Sequence, residues 1–186
     1  MNSRKANHVH RYLFIFYVIF LGVVIFLMLS IDIGRCMGWP EVKTRLLPDE
    51  AFALIESDAG SRIRHCPHHD LNGYLDTEQM IYVLGAIDNE SWLNPTNKTF
   101  AEAHLKKHYD RFKTKAMKIG LNGPLNINEA KLADLVLLPQ IGPVLAVKIV
   151  EYRNTRSLFS IIEDIKNVEG IGQGTFNALR YYISSE

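Results

Sequence analysis

The sequence lacks the short motifs that mark common enzyme classes. It contains no Gly-x-Ser-x-Gly turn for a nucleophilic serine, no Gly-Lys-Thr loop for nucleotide phosphates and no Cys-x-x-Cys-His run for covalent haem attachment. Its carboxylates form no recognisable acid–base pair. The composition also excludes collagen, coiled-coil and low-complexity proteins. We therefore expect a binding or structural protein rather than an enzyme.

Charge is absent from one long stretch near the N-terminus. The 20 residues from Tyr12 to Ile31 include no acidic, basic or histidine side chain, and a run of this length and composition can cross a bilayer. A cleaved signal peptide would instead need a shorter run followed by a small-x-small site, and the residues after this run make a poor one. We therefore predict an uncleaved transmembrane anchor over residues 12–33.

Basic residues before the anchor indicate its orientation. They are Arg4, Lys5 and Arg11. Because basic flanks tend to stay in the cytoplasm, residues 1–11 are predicted to be cytoplasmic. The protein would then be a single-pass protein of the inner membrane, with its C-terminal part extracytoplasmic, that is, periplasmic. Residues 34–48, which contain two prolines, are predicted to be a linker.

The net charge of +1 conceals three blocks after the linker. Residues 49–97 carry a net charge of −7, residues 98–120 carry +5, and residues 121–186 carry −1. The apolar spacing predicts helices in the first two blocks: a short one opening at Pro48-Asp49-Glu50, one beginning at Thr77 and a long one from Thr99 to Lys118. No alternation typical of strands is evident. We therefore predict an all-α fold with a histidine-rich helical domain over residues 49–120.

Histidines and one cysteine form two short clusters in this middle domain. The segment Cys66, His68 and His69 precedes the long helix, which carries His104 and His108 one turn apart and hence on one face. A thiolate and imidazoles in these positions could hold one zinc or another transition metal. Alternatively, His104 and His108 are solvated members of a basic helix. No cofactor is therefore certain from the sequence.

The basic block on the same helix has two interpretations. Its cations could contact DNA phosphates or anionic headgroups, or they could offset the acidic block that precedes them. The side chains predicted as an accessory DNA surface are Lys106, Lys107, Arg111 and Lys113.

The C-terminal region contains an internal duplication. Residues 137–143 and 168–174 are two glycine turns, each between helical patterns, and Gly142 and Gly172 are 30 residues apart. Glycine permits a positive φ in such a turn and leaves the N–H groups of the following helix accessible to an anion. The residues predicted to contact phosphates are Ile141, Gly142, Val144, Lys148, Ile171, Gly172 and Gly174.

Residues of about 125–183 resemble the ComEA-type helix-hairpin-helix domain. The resemblance lies in Asn126, Ile127, Asn128, Ala130, Leu135, Leu138, Pro139, Ile141, Gly142, Pro143, Ala146, Ile149, Tyr152, Arg153, Phe159, Asp164, Ile165, Val168, Gly170, Ile171, Gly172, Thr175 and Leu179. It implies a compact helical domain of two paired hairpins over residues 121–186, which binds double-stranded DNA without sequence preference. With the N-terminal anchor, the chain resembles the membrane-bound DNA receptors of natural competence.

Three departures from the family pattern reduce the positive charge or alter a turn. Gln140 stands where the family usually has glycine, Leu145 stands where it often has lysine, and a lysine is missing after the second turn. Because non-specific DNA affinity scales with the number of phosphates neutralised, a domain of charge −1 should need the basic helix. The alternative is a structural or assembly protein of a membrane complex, in which the hairpins dock a protein partner. The same hairpin fold resembles a region of the cyanobacterial photosystem subunit PsbU.

Overall fold

A two-stranded antiparallel β-hairpin dominates the first part of the fold. The computed structural model describes residues 38–186. The first elements are helix α1 (Glu41–Arg45), a 3₁₀ turn (Asp49–Ala51) and strands β1 (Phe52–Asp58) and β2 (Ser61–Pro67). The register pairs Phe52 with Pro67 at one end of the hairpin and Asp58 with Ser61 at the other.

This hairpin shows that the all-α prediction was wrong. The helix predicted at Pro48 ends as a single 3₁₀ turn, and the apolar residues that follow form β1. Ala59 and Gly60 have φ values of 43° and 86°, which is the left-handed pair that a two-residue hairpin turn with primed geometry needs. An apolar run of four residues is too short for periodicity to separate strand from helix.

Two helices follow the β-hairpin, and each begins at a side-chain cap. In helix α2 (Thr77–Gly85), Asp76 accepts a hydrogen bond from the Gln79 amide. In helix α3 (Pro95–Met117), Asn94 accepts one from the Thr96 amide. The predicted long helix is confirmed, but it begins at Pro95 rather than at Thr99.

The buried Glu56 carboxylate fixes the start of α3 to β1. It accepts hydrogen bonds from the amides of Leu93 and Asn94, at 2.8 and 2.9 Å, and from the Asn97 side chain at 2.9 Å. Burial alone would raise the pKa of Glu56. These hydrogen bonds and the one to His65 outweigh that effect and lower the pKa to about 2. The carboxylate is therefore charged at neutral pH and holds α3 in place.

The C-terminal region contains helices and one very short strand pair. Its elements are β3 (Leu125–Asn126), α4 (Leu132–Leu135), α5 (Pro143–Thr155), a 3₁₀ helix (Ile162–Asn167), α6 (Gln173–Leu179) and β4 (Ile183–Ser184). Strands β3 and β4 pair in parallel, which is a second departure from the all-α prediction. The Asn128 side chain joins the two ends of this region, because it donates to the carbonyls of Phe159 and Ser185, each at 2.9 Å.

One hydrophobic core joins the middle and C-terminal regions. It includes Met80 of α2 and Leu105 of α3 together with Leu135, Ile149 and Leu179 of the C-terminal helices. Residues 38–186 accordingly belong to one compact unit. The C-terminal region is thus packed against the middle region and is not attached to it by a free linker.

The predicted cytoplasmic residues 1–11 and the predicted anchor 12–33 lie outside the described residues. Within residues 38–186, no helix has both the length and the apolar character needed to cross a bilayer.

Candidate nucleic-acid interface and histidine cluster

The two predicted glycine turns follow the same backbone course. Gln140 has a φ of 61° in the first turn, and Gly170 has a φ of 92° at the equivalent place in the second. Two residues later, Gly142 and Gly172 precede α5 and α6 with extended φ values of −102° and −90°. The positive φ expected of the turn glycines therefore falls at Gln140 and Gly170, and Gly142 and Gly172 adopt a conformation open to any residue.

Packing does not require glycine at Gly142 or Gly172 either. A Cβ atom built on either residue would have no heavy atom within 4 Å, apart from its own chain neighbours. By contrast, a Cβ at Gly170 would lie 2.9 Å from the Leu145 Cδ2 atom. Neither turn geometry nor packing explains why residues 142 and 172 are glycines. Their lack of a side chain leaves the backbone open to close approach by a ligand.

Backbone amides in both turns are available to a ligand that approaches in this way. Among residues 38–186, no acceptor is found for the amides of Gly142 and Val144 in the first turn or of Gly172 and Gly174 in the second. Free amides at the start of a helix attract anions. The two turns therefore present matching sets of hydrogen-bond donors.

Two residues predicted to donate their amides do not have them free. The Ile141 amide donates to the Leu138 carbonyl at 3.2 Å, and the Ile171 amide donates to the Val168 carbonyl at 3.0 Å. The side chains of Ile141 and Ile171 are also buried in the core. They shape the turns from inside, so we remove both residues from the proposed phosphate contacts.

The cations near the turns differ in how far they are neutralised. Lys148 of α5 lies with its Nζ atom 3.2 Å from the Glu169 carboxylate, so part of its charge is offset. Lys166, which the sequence analysis missed, reaches the second turn, since its Nζ atom is 3.5 Å from the Gln173 Oε1 atom. The 3₁₀ helix that precedes the turn brings Lys166 there, and no motif in the sequence marks it.

Three of the four predicted accessory cations are exposed on α3, and Lys113 is half-buried. Lys106 pairs with Glu102 at 2.7 Å, and this hydrogen bond and the partner's charge raise the pKa of Lys106. The Lys113 Nζ atom lies 5.7 Å from the centroid of the Tyr109 ring. Lys107 and Arg111 are exposed.

Four histidines predicted as metal ligands come together between two elements. His68 and His69 follow β2, and His104 and His108 lie on one face of α3. Their candidate ligand atoms all lie within 4.8 Å of one another. The Nε2 atom of His104 is 3.0 Å from that of His68 and 3.3 Å from that of His108.

Cys66, the fifth predicted ligand, is not part of this group. It has a φ of 55°, and its side chain is fully buried in the hydrophobic core. Burial, and then the charge of Glu90, raise the pKa of the Cys66 thiol to about 12. The ligand atoms that converge belong to the four histidines and not to Cys66, so we remove Cys66 from the donor set.

Burial lowers the pKa of three histidines of the group. Burial, followed by repulsion from His69 and the other histidines, lowers the pKa of His68 to about 4 in spite of a hydrogen bond to the Cys66 carbonyl. Burial, followed by repulsion from other histidines of the group and then from Lys107 or Arg111, also lowers the pKa of His104 and His108. Burial thus disfavours the charged forms of His68, His104 and His108 and favours rings with a free lone pair.

Comparison with known proteins identifies the class of the C-terminal region. Residues 122–184 match the family model described as the helix-hairpin-helix motif. A 65-residue segment is 37% identical to ComE operon protein 1 of Bacillus subtilis (strain 168), over 35% of this chain and 32% of that protein. Residues 122–184 are thus a helix-hairpin-helix domain of the ComEA type.

The match covers only part of both proteins. This chain spans about a third of the length of the curated relative that it matches. No solved structure gives a significant match. The middle region, including the β-hairpin and the histidine group, lies outside the residues that the family model matches.

Proposed function

We propose that the two hairpin turns bind the backbone of double-stranded DNA without reading its sequence. The observation that carries this proposal is the pair Gly142 and Gly172, which occupy equivalent places with open space where a side chain would be. Free amides adjoin both glycines. A phosphate oxygen can approach such amides closely, and contacts of this kind hold a protein on DNA but carry no sequence information.

The match to the helix-hairpin-helix family supports a binding role over an enzymatic one. Two turns in one rigid domain can contact two phosphates, and both contacts depend on the spacing of the duplex backbone rather than on base edges. We therefore expect affinity to be indifferent to base sequence.

Charge limits the affinity of the domain acting alone. Residues 121–186 carry a net charge of −1, and Lys148 is already paired with Glu169. Because neutralised phosphates supply most of the non-specific affinity, we propose that α3 adds contacts through its accessory cations. These are Lys106, Lys107, Arg111 and Lys113.

The test is a duplex-binding titration with the full chain in detergent, across a salt series. Gly142→Asp with Gly172→Asp would place a carboxylate in each open space and repel the phosphates. We expect a loss of about ten- to a hundredfold for each turn, from the 1.5–3 kcal/mol typical of hydrogen bonds to charged groups. Ser157→Asp is the matched control for either glycine substitution made singly, because it adds the same single charge beyond the far end of α5, about 18 Å along the helix from its start.

Two results would contradict the proposal. If the double variant keeps its circular dichroism spectrum and binds as tightly as the Ser157→Asp control, the turns are not the DNA site. If the unsubstituted chain fails to bind duplex DNA at low salt, the alternative of a hairpin domain that docks a protein partner takes its place.

We also propose that the uncharged run near the N-terminus anchors this DNA-binding unit at the outer face of the inner membrane, as in a receptor for DNA uptake. The run from Tyr12 to Ile31 and the basic residues before it support this orientation. Protease added to spheroplasts should digest the C-terminal domain. Full protection of that domain, or a mature N-terminus near residue 32, would contradict the proposal.

A further inference from the structure

The four-histidine group has the spacing of a metal site. A tetrahedral zinc site with bonds of 2.0–2.1 Å has ligand atoms about 3.3 Å apart. The Nε2 atoms of His68 and His104 are 3.0 Å apart, and those of His104 and His108 are 3.3 Å apart. Since all four candidate ligand atoms lie within 4.8 Å of one another, small ring rotations would bring the group to one centre.

Hydrogen bonds outside the group fix which nitrogen faces inward. The Nδ1 atom of His68 is 2.9 Å from the Cys66 carbonyl oxygen, and the Nδ1 atom of His69 is 2.9 Å from that of Gly73. A carbonyl oxygen only accepts, so each Nδ1 carries the proton and each neutral ring has its lone pair on Nε2. Histidines that bind a metal commonly donate their other ring N–H to a backbone carbonyl in this way, which fixes the orientation of the ring.

Hydrogen bonds within the group cannot satisfy all of its nitrogens. The Nε2 atom of His68 can only accept when Nδ1 is protonated, and the Nε2 atom of His104 has at most one proton to donate to His68 or His108. A protonated Nε2 of His104 has no lone pair left with which to accept, so at most one of these two contacts is a hydrogen bond. A cation satisfies every lone pair that is directed into the same space.

The protein holds both halves of the group in position before any ligand binds. The His68 amide donates to the Ala51 carbonyl and the His68 carbonyl accepts from the Asp76 amide, each at 2.9 Å. His69 forms an antiparallel bridge with Leu75. His104 and His108 are one turn apart on α3, whose start is fixed by Glu56. Such a preorganised set loses little conformational freedom on binding a metal.

We propose that His68, His69, His104 and His108 bind one divalent transition-metal ion, with zinc as the reference ion. Imidazole nitrogens suit zinc, copper and nickel, whereas calcium and magnesium take oxygen ligands. Four protein ligands fill a tetrahedral site and leave no position for a reacting water. The ion therefore acts structurally, by joining α3 to the segment that follows β2.

The experiment uses the full chain without a histidine tag, purified in detergent and stripped with a chelator. Zn²⁺ is titrated in competition with a chromophoric chelator, and Co²⁺ is added separately because tetrahedral Co²⁺ absorbs in the visible range. We expect one equivalent of either ion. The double variant His104→Ala, His108→Ala removes two ligands. Its affinity should fall by more than the roughly 10–100-fold that follows from losing one hydrogen-bond partner behind a ligand.

Two further variants control for indirect effects. Thr114→Ala changes an exposed residue of α3 outside the group and should leave the affinity unchanged. His108→Cys replaces one donor by another, so it should retain one equivalent of Co²⁺ and add a sulfur-to-cobalt charge-transfer band.

The proposal is overturned if the unsubstituted chain binds no stoichiometric Zn²⁺, or if the folded double variant binds it with unchanged affinity. If the double variant does not fold, the single variant His104→Gln at this exposed position replaces it. Unchanged affinity in His104→Gln would equally overturn the proposal.

Discussion

The two hairpins share a backbone course but differ in what supports them. The first is held by the middle region: the Glu78 carboxylate accepts hydrogen bonds from the Leu132 and Ala133 amides at 2.9 and 3.1 Å. A Cβ atom on Gly85 of α2 would lie 2.6 Å from the Pro143 carbonyl oxygen, so α2 and α5 are in close contact. The second hairpin packs against the first, with Gly170 against the Leu145 side chain.

This difference shows that a duplicated sequence need not produce two equivalent structural units. The middle region organises the first hairpin, and the first hairpin in turn forms a surface for the second. Substitutions at equivalent positions should therefore have unequal effects, and the following predictions test this inequality.

The largest effect is expected where α2 meets the first hairpin. Gly85→Ala places a Cβ against the backbone of α5, which must shift, so we expect the free energy of unfolding to fall by about 1–3 kcal/mol, as for other overpacked sites. Denaturant unfolding followed by tryptophan fluorescence measures it. Gly172→Ala, whose Cβ meets open space, should change stability by less than about 0.5 kcal/mol. Equal effects of the two variants would show that α2 does not support the first hairpin.

Exchanging the residue types at the two positions with positive φ should change the free energy of unfolding in opposite directions. Gly170→Gln forces a side chain into the left-handed region and against Leu145, so we expect a loss of about 1–2 kcal/mol. Gln140→Gly removes the same cost from the first turn and should increase the free energy of unfolding by up to about 1 kcal/mol. A destabilising Gln140→Gly would mean that the glutamine side chain stabilises its turn by some other contact.

Removing the charge of Glu78, which accepts hydrogen bonds from the first amides of α4, should affect the first hairpin selectively. Glu78→Gln weakens the hydrogen bonds to the start of α4, and we expect a loss of about 0.5–2 kcal/mol, the range for substituted helix caps. Hydrogen exchange should become faster at the Leu132 and Ala133 amides and stay unchanged in α6. Faster exchange in both hairpins to the same extent would contradict a local role for Glu78.

The smallest effect concerns the cations beside the two turns. Each phosphate contact that is lost lowers the salt slope of duplex binding by about 0.9. Lys148 is offset by Glu169, whereas the Lys166 Nζ atom lies near two neutral side chains, Gln173 and the Phe176 ring. We therefore expect Lys166→Gln to reduce the slope by about one contact and Lys148→Gln to reduce it by less. The reverse order would indicate that the Lys148–Glu169 pair opens when DNA binds.

The hairpin pair could be predicted from the sequence because local signals and their repetition agree. Gly142 and Gly172 mark the helix starts at a fixed spacing, and both helices begin directly after them. Which amides stay free could not be predicted, because backbone bonds inside the turns use those of Ile141 and Ile171. The left-handed conformation of Gln140 was also hidden, since glutamine does not signal a positive φ.

The middle region was less predictable because its structure depends on contacts between distant residues. The pair His104 and His108 followed from helical spacing alone, but their meeting with His68 joins residues 36 positions apart. The β-hairpin had only one local signal, Gly60, beside an apolar run too short to assign. Cys66 breaks the pattern of its strand through a positive φ, which no feature of the sequence indicates.

The close packing of α2 on the hairpin domain has a practical consequence for solubility. The segment that matches the helix-hairpin-helix family begins at residue 122, after α2 and α3 have ended. Cutting the chain there would uncover Leu132, Leu135 and Val147, which are buried in the core shared with α2. A newly exposed apolar patch of this kind promotes aggregation. A fragment that begins at residue 38 keeps the patch covered, and it is the shortest described unit that should stay monodisperse in solution.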